Sequence, residues 1–307
     1  MNKSIGQPIR RKEDERLLIG RGMFSDDFQL PNQAHAVMVR SPYPHAQIAN
    51  INGERTKHLP GVLGVFTGKD CAADGLGDIP HSPLPKTKND LKLTGPDGSD
   101  VFIGPHILLP TDKVRHVGEA IAMVVAETKA QALDGAEAVE IKYEPLPHIL
   151  DTWAATMPGN SAIWEERPDN VCIDTTFGDE AGTQDAFAHA IHVVKASFHV
   201  ERVTGVPIEP RSALAFYDDS IDRYTIYAGS GGAVRQKTEI ASVLGVEPDN
   251  IRILSYDVGG NFGTRNRVYV EFGLVAWAAR ILRRPVKFTA DREEAFLSDY
   301  QGRDLHT

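Results

Sequence analysis

Two glycine clusters constrain the second half of this chain more than any other feature. Gly229-Ser230-Gly231-Gly232 and Gly259-Gly260-Asn261-Phe262-Gly263 each stand between a run with strand character and a stretch with helical period. The run ahead of the first, 223–228, is rich in Tyr, Thr and Ile, which suit a pleated, half-buried surface. The run ahead of the second is 251–257. A helix is expected from the first cluster to Leu244, where Gly245 stops it. After the second cluster, Val268, Phe272, Val275, Ala279 and Leu282 recur at steps of four and three, one face of a helix over 267–282. A strand over 285–290 follows. The order strand, glycine turn, helix, strand, glycine turn, helix, strand is that of an α/β layer.

Glycine lets backbone approach a ligand with no Cβ between them. A helix start adds unpaired N–H groups and the positive end of a dipole. Together they suit a phosphate or a pterin-type polar ring, although the same glycines also serve simply to turn the chain. Neither cluster reads GxxxxGK[ST], and neither is a GxGxxG with an acidic residue about 20 positions on, so P-loop and Rossmann readings are unsupported. Gly20-Arg21-Gly22 lacks both the third glycine and a preceding strand.

The first half is less regular. Residues 10–16 (RRKEDER) are all charged and cannot bury a face, so 1–16 is expected as an exposed arm. Short strands are expected at 34–40, 47–51 and 62–66, with turn signals at Ser41-Pro42 and Pro60-Gly61. From 72 to 105 Pro, Gly, Asp, Lys and Ser dominate, which reads as a long surface loop. The apolar run Ala120–Ala126 is short enough for a buried strand, and Thr128 is placed to cap a helix over 129–140 carrying Ala132, Ala136 and Val139 on one stripe. A strand over 141–143 ends at Pro145 and Pro147. The second half adds a short helix over 184–190 and a long strand over 193–203. Pro207 to Arg211 interrupts that strand, and 212–217 resumes it. The expected division is an arm (1–16), a first domain (17–146), a linker (147–170) and a second domain (171–307), with two cores for 307 residues. No turn signal closes the last residues, so the chain reads as cut within a strand and as part of a longer protein.

A net charge of −9 argues against a nucleic-acid partner. The longest clean apolar run is short of the roughly 20 residues of a membrane span, and the start lacks a secretory apolar core. Cys71 and Cys172 form neither a CxxC pair nor a disulfide framework. A cytoplasmic setting is expected, with a peripheral place on the inner membrane left open. His189, His192 and His199 cross a helix-to-strand joint without a further ligand, so no side-chain metal site is expected. There is no GxSxG and no HExxH. Cys71 is a weak nucleophile candidate, Trp277 reads as packing, and Arg235 either pairs with an anion or lies on a solvated face.

The run Asp257-Val-Gly-Gly-Asn-Phe-Gly-Thr-Arg265 resembles the GGxFG turn of the molybdenum hydroxylases, the superfamily of xanthine dehydrogenase, aldehyde oxidoreductase and aerobic carbon monoxide dehydrogenase. Collinear stretches agree with the start of its large subunit. They are Arg16-Leu-Leu-Ile-Gly-Arg-Gly22 with Asp26-Asp27, Arg40-Ser-Pro-Tyr-Pro-His-Ala46, Pro60-Gly-Val-Leu-Gly-Val-Phe-Thr-Gly68 and Val114-Arg-His-Val-Gly-Glu119. Tyr143-Glu-Pro-Leu-Pro147, Glu209-Pro-Arg-Ser-Ala213 and Phe296-Leu-Ser-Asp299 complete a set covering 9–304. The similarity is nearest in flavour to the bacterial carbon-monoxide-dehydrogenase-like subunits.

That resemblance implies a mixed α+β and α/β fold. The first domain would be an α/β hammerhead domain, and the second the first part of a molybdopterin-binding domain. It implies cofactor contacts at Gly231, Gly232, Ala233, Gly259, Gly260, Asn261, Phe262, Gly263, Thr264 and Arg265, with Phe262, Gly260 and Gly263 beside the molybdenum and no metal ligand from side chains. Gly231 stands where the family often has a glutamine that hydrogen-bonds a molybdenum oxo group. The family's general-base glutamate would lie beyond residue 307, leaving no assigned catalytic residue here and Glu209 as an auxiliary. The implied cofactor of the full-length enzyme is molybdopterin cytosine dinucleotide with molybdenum; whether this piece alone holds it is open. The implied reaction adds a water-derived oxygen to CO, an aldehyde or an N-heterocycle. Implied partners are the C-terminal part of the same subunit, an iron–sulfur subunit and an FAD subunit, in a dimer of heterotrimers, and the fragment alone is expected to be inactive. The alternatives are a cofactor-free structural fragment and a nucleotide-binding module.

Overall fold

The computed structural model of the chain describes residues 5–80, 93–95, 97–98 and 100–307. Part of the loop expected over 72–105 lies outside these residues. Where that stretch is described it is not all surface, since Ile79 is buried and bridges His106.

The first half runs α1 (Asp14–Leu18), β1 (Ala34–Arg40), β2 (Ala46–Asn52), α2 (Glu54–Lys57), β3 (Val62–Thr67), α3 (Gly68–Ala73), β4 (Lys113–Val114), β5 (Ala120–Ala126), α4 (Lys129–Glu137) and β6 (Glu140–Pro145). Then come α5 (Thr152–Ala155), α6 (Glu180–His189), β7 (His199–Val200), β8 (Val203–Thr204), β9 (Ser212–Asp218), β10 (Arg223–Ala228), α7 (Ala233–Leu244) and β11 (Ile251–Leu254). The chain continues through α8 (Val270–Leu282), β12 (Val286–Thr289), α9 (Arg292–Ser298), β13 (Gln301–Gly302) and β14 (Leu305–His306).

A seven-stranded sheet in the order β11-β10-β9-β12-β1-β5-β3 organises the molecule. β1 pairs parallel with β12, and β10 parallel with β11; its other neighbours are antiparallel. β12 comes from residues 286–289 yet lies between β9 and β1, with Ala34 opposite Val286. Strands from both halves therefore share one main core, which runs from Ala34 and Met123 to Phe272 and Trp277. This replaces the two separate cores expected from length. The second cluster is small: Ala46, Ile48, Val114 and Ile121, beneath the three-stranded sheet β4-β2-β6. β5 is buried along its whole length: Met123 and Val125 belong to the main core, Ile121 to the small one, and Val124 lies against Gly135 of α4. Thr128 does cap α4, its hydroxyl accepting from the Gln131 amide. Gly135 lets α4 lie against the sheet, where a Cβ would sit 2.9 Å from Val124 Cγ1.

Three sequence expectations change. The helix expected from 267 begins at Val270, because 264–266 form a 3-10 turn and Arg267 is extended at φ −109°, ψ 159°. Val268 keeps the apolar period but is buried from an extended stretch. The long strand expected over 193–203 reduces to β7 and β8, each a two-residue ladder against β14 and β13; alternation without a long partner makes no longer strand. The segment read as a linker packs down: Arg115 stacks on Trp164 at 3.9 Å, Phe102 lies by the same ring, and Lys113 pairs with Glu165 at 2.7 Å. Among the described residues no helix is long and apolar enough to cross a membrane.

Candidate functional site

The two glycine turns meet. Turn 229–232 follows β10 and leads directly into α7, with Gly232 as the residue before the helix. Turn 259–263 leads into the 3-10 turn Thr264–Asn266 instead, so only the first presents a helix start. The Gly231 amide donates to the Arg265 carbonyl at 3.0 Å, which seams one turn to the other. Ser230 is tied to Ser255 at 3.1 Å, and the Gly232 amide donates to Ser230 Oγ at 2.9 Å.

The second turn is held from below by Glu209. Its carboxylate accepts from the Gly259 amide at 2.8 Å, from the Ser25 amide at 3.1 Å and from the Ser25 hydroxyl at 2.7 Å. The Glu209 amide returns a bond to the Gly259 carbonyl at 3.2 Å, and Arg265 Nη2 donates to the Glu209 carbonyl at 2.6 Å. A carboxylate engaged by three donors holds a turn in place and is not a free base. Asp257 anchors the approach: Arg16 grips both its oxygens and the Met23 amide donates to it at 2.7 Å. The Arg16 guanidinium and the Met23 amide hold that carboxyl down at about 2. Arg16, the last residue of the stretch expected as a free arm, thus docks on this same chain. The strap behind it continues with Phe28 stacked on Tyr227 and tilted against Tyr256, both at 4.7 Å, and Lys287 donates to the Asp26 carbonyl at 2.6 Å.

Backbone conformation in the turn is unusual where it is most exposed. Gly260, Phe262 and Gly263 have φ of 122°, 51° and 94°, a region costly for a residue with a side chain. Phe262 is 74% exposed. Among the described residues, the amides of Gly260, Asn261 and Phe262 donate to no protein acceptor. Successive unspent amides in a left-handed turn form a concavity that favours an anion. Ala233 begins α7 close by, adding first-turn amides without helical partners.

Residues beneath the turns are polar and buried. Arg265 is 2% exposed with Nη1 unpaired, and Gln236 is fully buried with its Oε1 unpaired while Nε2 reaches the Gly229 carbonyl. Further in, Arg211 and Arg40 share Glu271 Oε1 at 2.8 and 2.5 Å. Burial pushes the Glu271 carboxyl up, but the two guanidiniums outweigh it and hold it at about 2. Neighbouring Glu294 is raised by burial, with like charge from Glu271 adding to it. A cavity of about 650 Å³ lined by Arg115, Glu119, Trp164, Glu271 and Tyr300 takes none of its lining from the two turns, which form an open shelf.

The other candidates find ordinary roles. Arg235 pairs with Glu239 at 2.7 Å along its own helix. Trp277 packs edge-on against Phe66 and donates to Asp74 at 2.8 Å. Burial pushes the Cys71 thiol up to about 12, and His199 stacks on His306. Among the described residues no cluster could hold a metal ion. The structure brings Gly231, Gly232 and Ala233 against 259–265, as one shelf. Sequence reasoning passed over Ser25 and gave Arg16 no role in the site; nothing in their local pattern marked them, because their partners lie 184 and 241 positions away. Asn266 was passed over although its partner Asn261 lies in the same turn.

A family model described as the molybdopterin cofactor-binding domain matches residues 163–307, and one described as the aldehyde oxidase and xanthine dehydrogenase a/b hammerhead domain matches 19–147. This chain belongs to the molybdenum hydroxylases. The large subunit of nicotine 6-hydroxylase from Paenarthrobacter nicotinovorans is 35% identical over 296 residues, which are 96% of this chain and 34% of that protein. The structure of quinoline 2-oxidoreductase from Pseudomonas putida 86 superposes with a TM-score of 0.86 at 30% identity, over 99% of this chain and 36% of that one. CO dehydrogenase from Oligotropha carboxidovorans gives 0.83 at 28%, over 98% and 37%. The chain thus spans about a third of the length of these molybdenum hydroxylases. Its mixed α/β architecture is theirs, a hammerhead segment followed by a molybdopterin-binding segment.

The shelf fits a molybdenum hydroxylase cofactor by its own chemistry. Gly232 and Gly263 have no atom within 4 Å of where a Cβ would lie, the amides of 260–262 are unspent, and Arg265 and Gln236 carry unpaired buried polar atoms nearby. Position 231 is itself closed to a side chain: a Cβ there would fall 1.9 Å from Asn266 Oδ1 and 2.3 Å from Asn261 Nδ2.

Proposed function

We propose that this chain is the N-terminal part of the molybdopterin-binding subunit of an enzyme that adds a water-derived oxygen to an N-heterocycle. The carrying observation is the seam between the turns, which sets the unspent amides of 260–262 beside Gly231. The nicotine and quinoline enzymes among the relatives support an N-heterocycle over CO or an aldehyde.

In this reading the unspent amides of Gly260, Asn261 and Phe262, with the start of α7 at Ala233, face molybdopterin cytosine dinucleotide, while Gly231, Gly232 and the rest of 259–265 shape the shelf around it. Glu209 and Asp257 fix the turn, and the buried Arg265 offers positive charge below. The bound group supplies the redox chemistry, while the protein supplies position and electrostatics. Glu209 is spent on three donors, so it is read as a prop for the turn, and the general base is sought elsewhere in the full-length subunit. Electrons pass to iron–sulfur and FAD subunits in a cytoplasmic dimer of heterotrimers.

The test is production of the full-length subunit with its partner subunits in a molybdenum-competent host. Elemental analysis is expected to give one molybdenum per subunit, and acid release is expected to give CMP. Oxygen from labelled water is expected in a hydroxylated nicotine or quinoline, with CO and benzaldehyde turned over far more slowly. Pure protein without molybdenum sinks the reading; preferred turnover of CO or benzaldehyde reassigns the substrate alone.

A further inference from the structure

We propose that Asn261 and Asn266 form an amide clasp that contacts an anionic oxygen of the bound cofactor at the seam between the turns. The proposal rests on the reading of the shelf given above. Asn261 Oδ1 accepts from the Gly263 amide at 3.0 Å, and Asn261 Nδ2 donates to Asn266 Oδ1 at 3.0 Å. Together they fill the space over Gly231, so no side chain at 231 coexists with the clasp.

Counting donors shows what the clasp has left. A carboxamide carries two N–H donors and one carbonyl acceptor. Both carbonyl oxygens are occupied. One hydrogen on Asn261 Nδ2 and both on Asn266 Nδ2 have no acceptor among the described residues. Asn266 is exposed, and these three donors stand beside the unspent backbone amides of 260–262. No carboxylate competes for them: Glu209 is occupied by Ser25 and Gly259, and Asp257 by Arg16 and Met23. The side chains of the seam therefore offer donors with no free carboxylate among them, which favours an oxyanion over a cation.

A clasp that merely staples the turn needs only the Asn261-to-Asn266 bond. Asn266→Asp separates the two roles. It keeps an oxygen for Asn261 Nδ2 to donate to, but it removes both Asn266 donors and places negative charge where the oxyanion would sit. The experiment uses the full-length enzyme with its partner subunits and reads molybdenum per subunit after gel filtration, alongside the melting temperature of cofactor-stripped protein. For Asn266→Asp the expected result is molybdenum retention down by about tenfold, the factor that losing one charge-assisted hydrogen bond gives. The stripped protein should melt within about 2 °C of the parent. Retention equal to the parent overturns the proposal. Should Asn266→Asp melt early, Gly231→Ala decides, since its Cβ drives Asn266 aside without adding charge. Reduced loading at unchanged stripped stability supports the clasp, and full loading overturns it. Parent enzyme without molybdenum instead sinks the shelf reading itself, which keeps the two failures apart.

Discussion

The Glu209 carboxylate accepts the Gly259 amide at 2.8 Å, while Glu209 Cβ lies 2.4 Å from where a side chain on residue 259 would begin. Bond and close approach depend on each other: the glycine is bare so that the carboxylate can reach its backbone. Neither clashing partner is the loose end of a long side chain, because the nearest atoms are Glu209 Cβ and its backbone N at 3.2 Å.

Gly259→Ala is therefore expected to cost about 1–3 kcal/mol, as overpacking a close-packed site does. Urea unfolding of the full-length protein checks this. An unchanged midpoint at unchanged slope would show that the Glu209 prop is not rigid.

The Arg16–Asp257 pair sets an acid dependence. In the unfolded chain the Asp257 carboxyl titrates near 3.8, and in the folded chain at about 2. Its contribution is complete above the unfolded value and is lost as pH falls from about 4 to about 2, because the unfolded chain takes up the proton first. Asp257→Asn is expected to be less stable than the parent at pH 7 and to show a shallower acid limb in that window. Melting temperatures from pH 5 to 2 decide; parallel limbs would remove Asp257 from the acid response.

Glu271 lies under Arg211 and Arg40 and is 1% exposed. Glu271→Gln leaves two guanidiniums without their shared anion, and breaking such a buried pair costs about 3–5 kcal/mol. Arg40 also pairs with Glu294 at 2.7 Å, so the set is four residues. Replacing it together by Arg40→Met, Arg211→Met, Glu271→Leu and Glu294→Gln is expected to recover much of that loss, since well-packed apolar groups often match a buried ion pair. Thermal unfolding of both variants reads the difference. A quadruple variant no more stable than Glu271→Gln contradicts it.

The two cysteines should differ sharply. Cys71 is buried with its thiol pushed up to about 12, while Cys172 is exposed. A disulfide reagent at pH 8 is expected to titrate one thiol of this segment in the native protein and two in denaturant. Peptide mapping that placed the fast label on Cys71 would reverse the assignment.

How much of this was legible from sequence depends on how local each signal is. Thr128, the β5 run and the glycine turns are written in neighbouring residues, and the structure uses them where expected. The start of α8 was misread because Val268 continues the apolar period while its backbone is extended to bring Tyr269 to Asp299, where its hydroxyl donates at 2.6 Å. Glu271 stands next to Phe272 on a helix buried from Glu271 to Ala279, which was a readable hint of a buried charge. Its partners Arg40 and Arg211, however, come from β1 and from the turn before β9. The strap from Arg16 to Phe28 left no periodic trace, because its work is done by single bonds to distant residues. The shelf was visible as glycines, but the asparagines that close position 231 show only when the turns are seen together.

The place of β12 beside β1 has a consequence for synthesis. β1 leaves the ribosome with β5 about 160 residues before its other neighbour exists. At elongation rates of about 5–20 residues per second this leaves one side of β1 unsatisfied for roughly 10–30 s. An apolar strand with an open edge is a template for wrong pairing, so the nascent chain is exposed to mispairing over that interval. A stop codon anywhere before Val286 would release a polypeptide whose central ladder can never close.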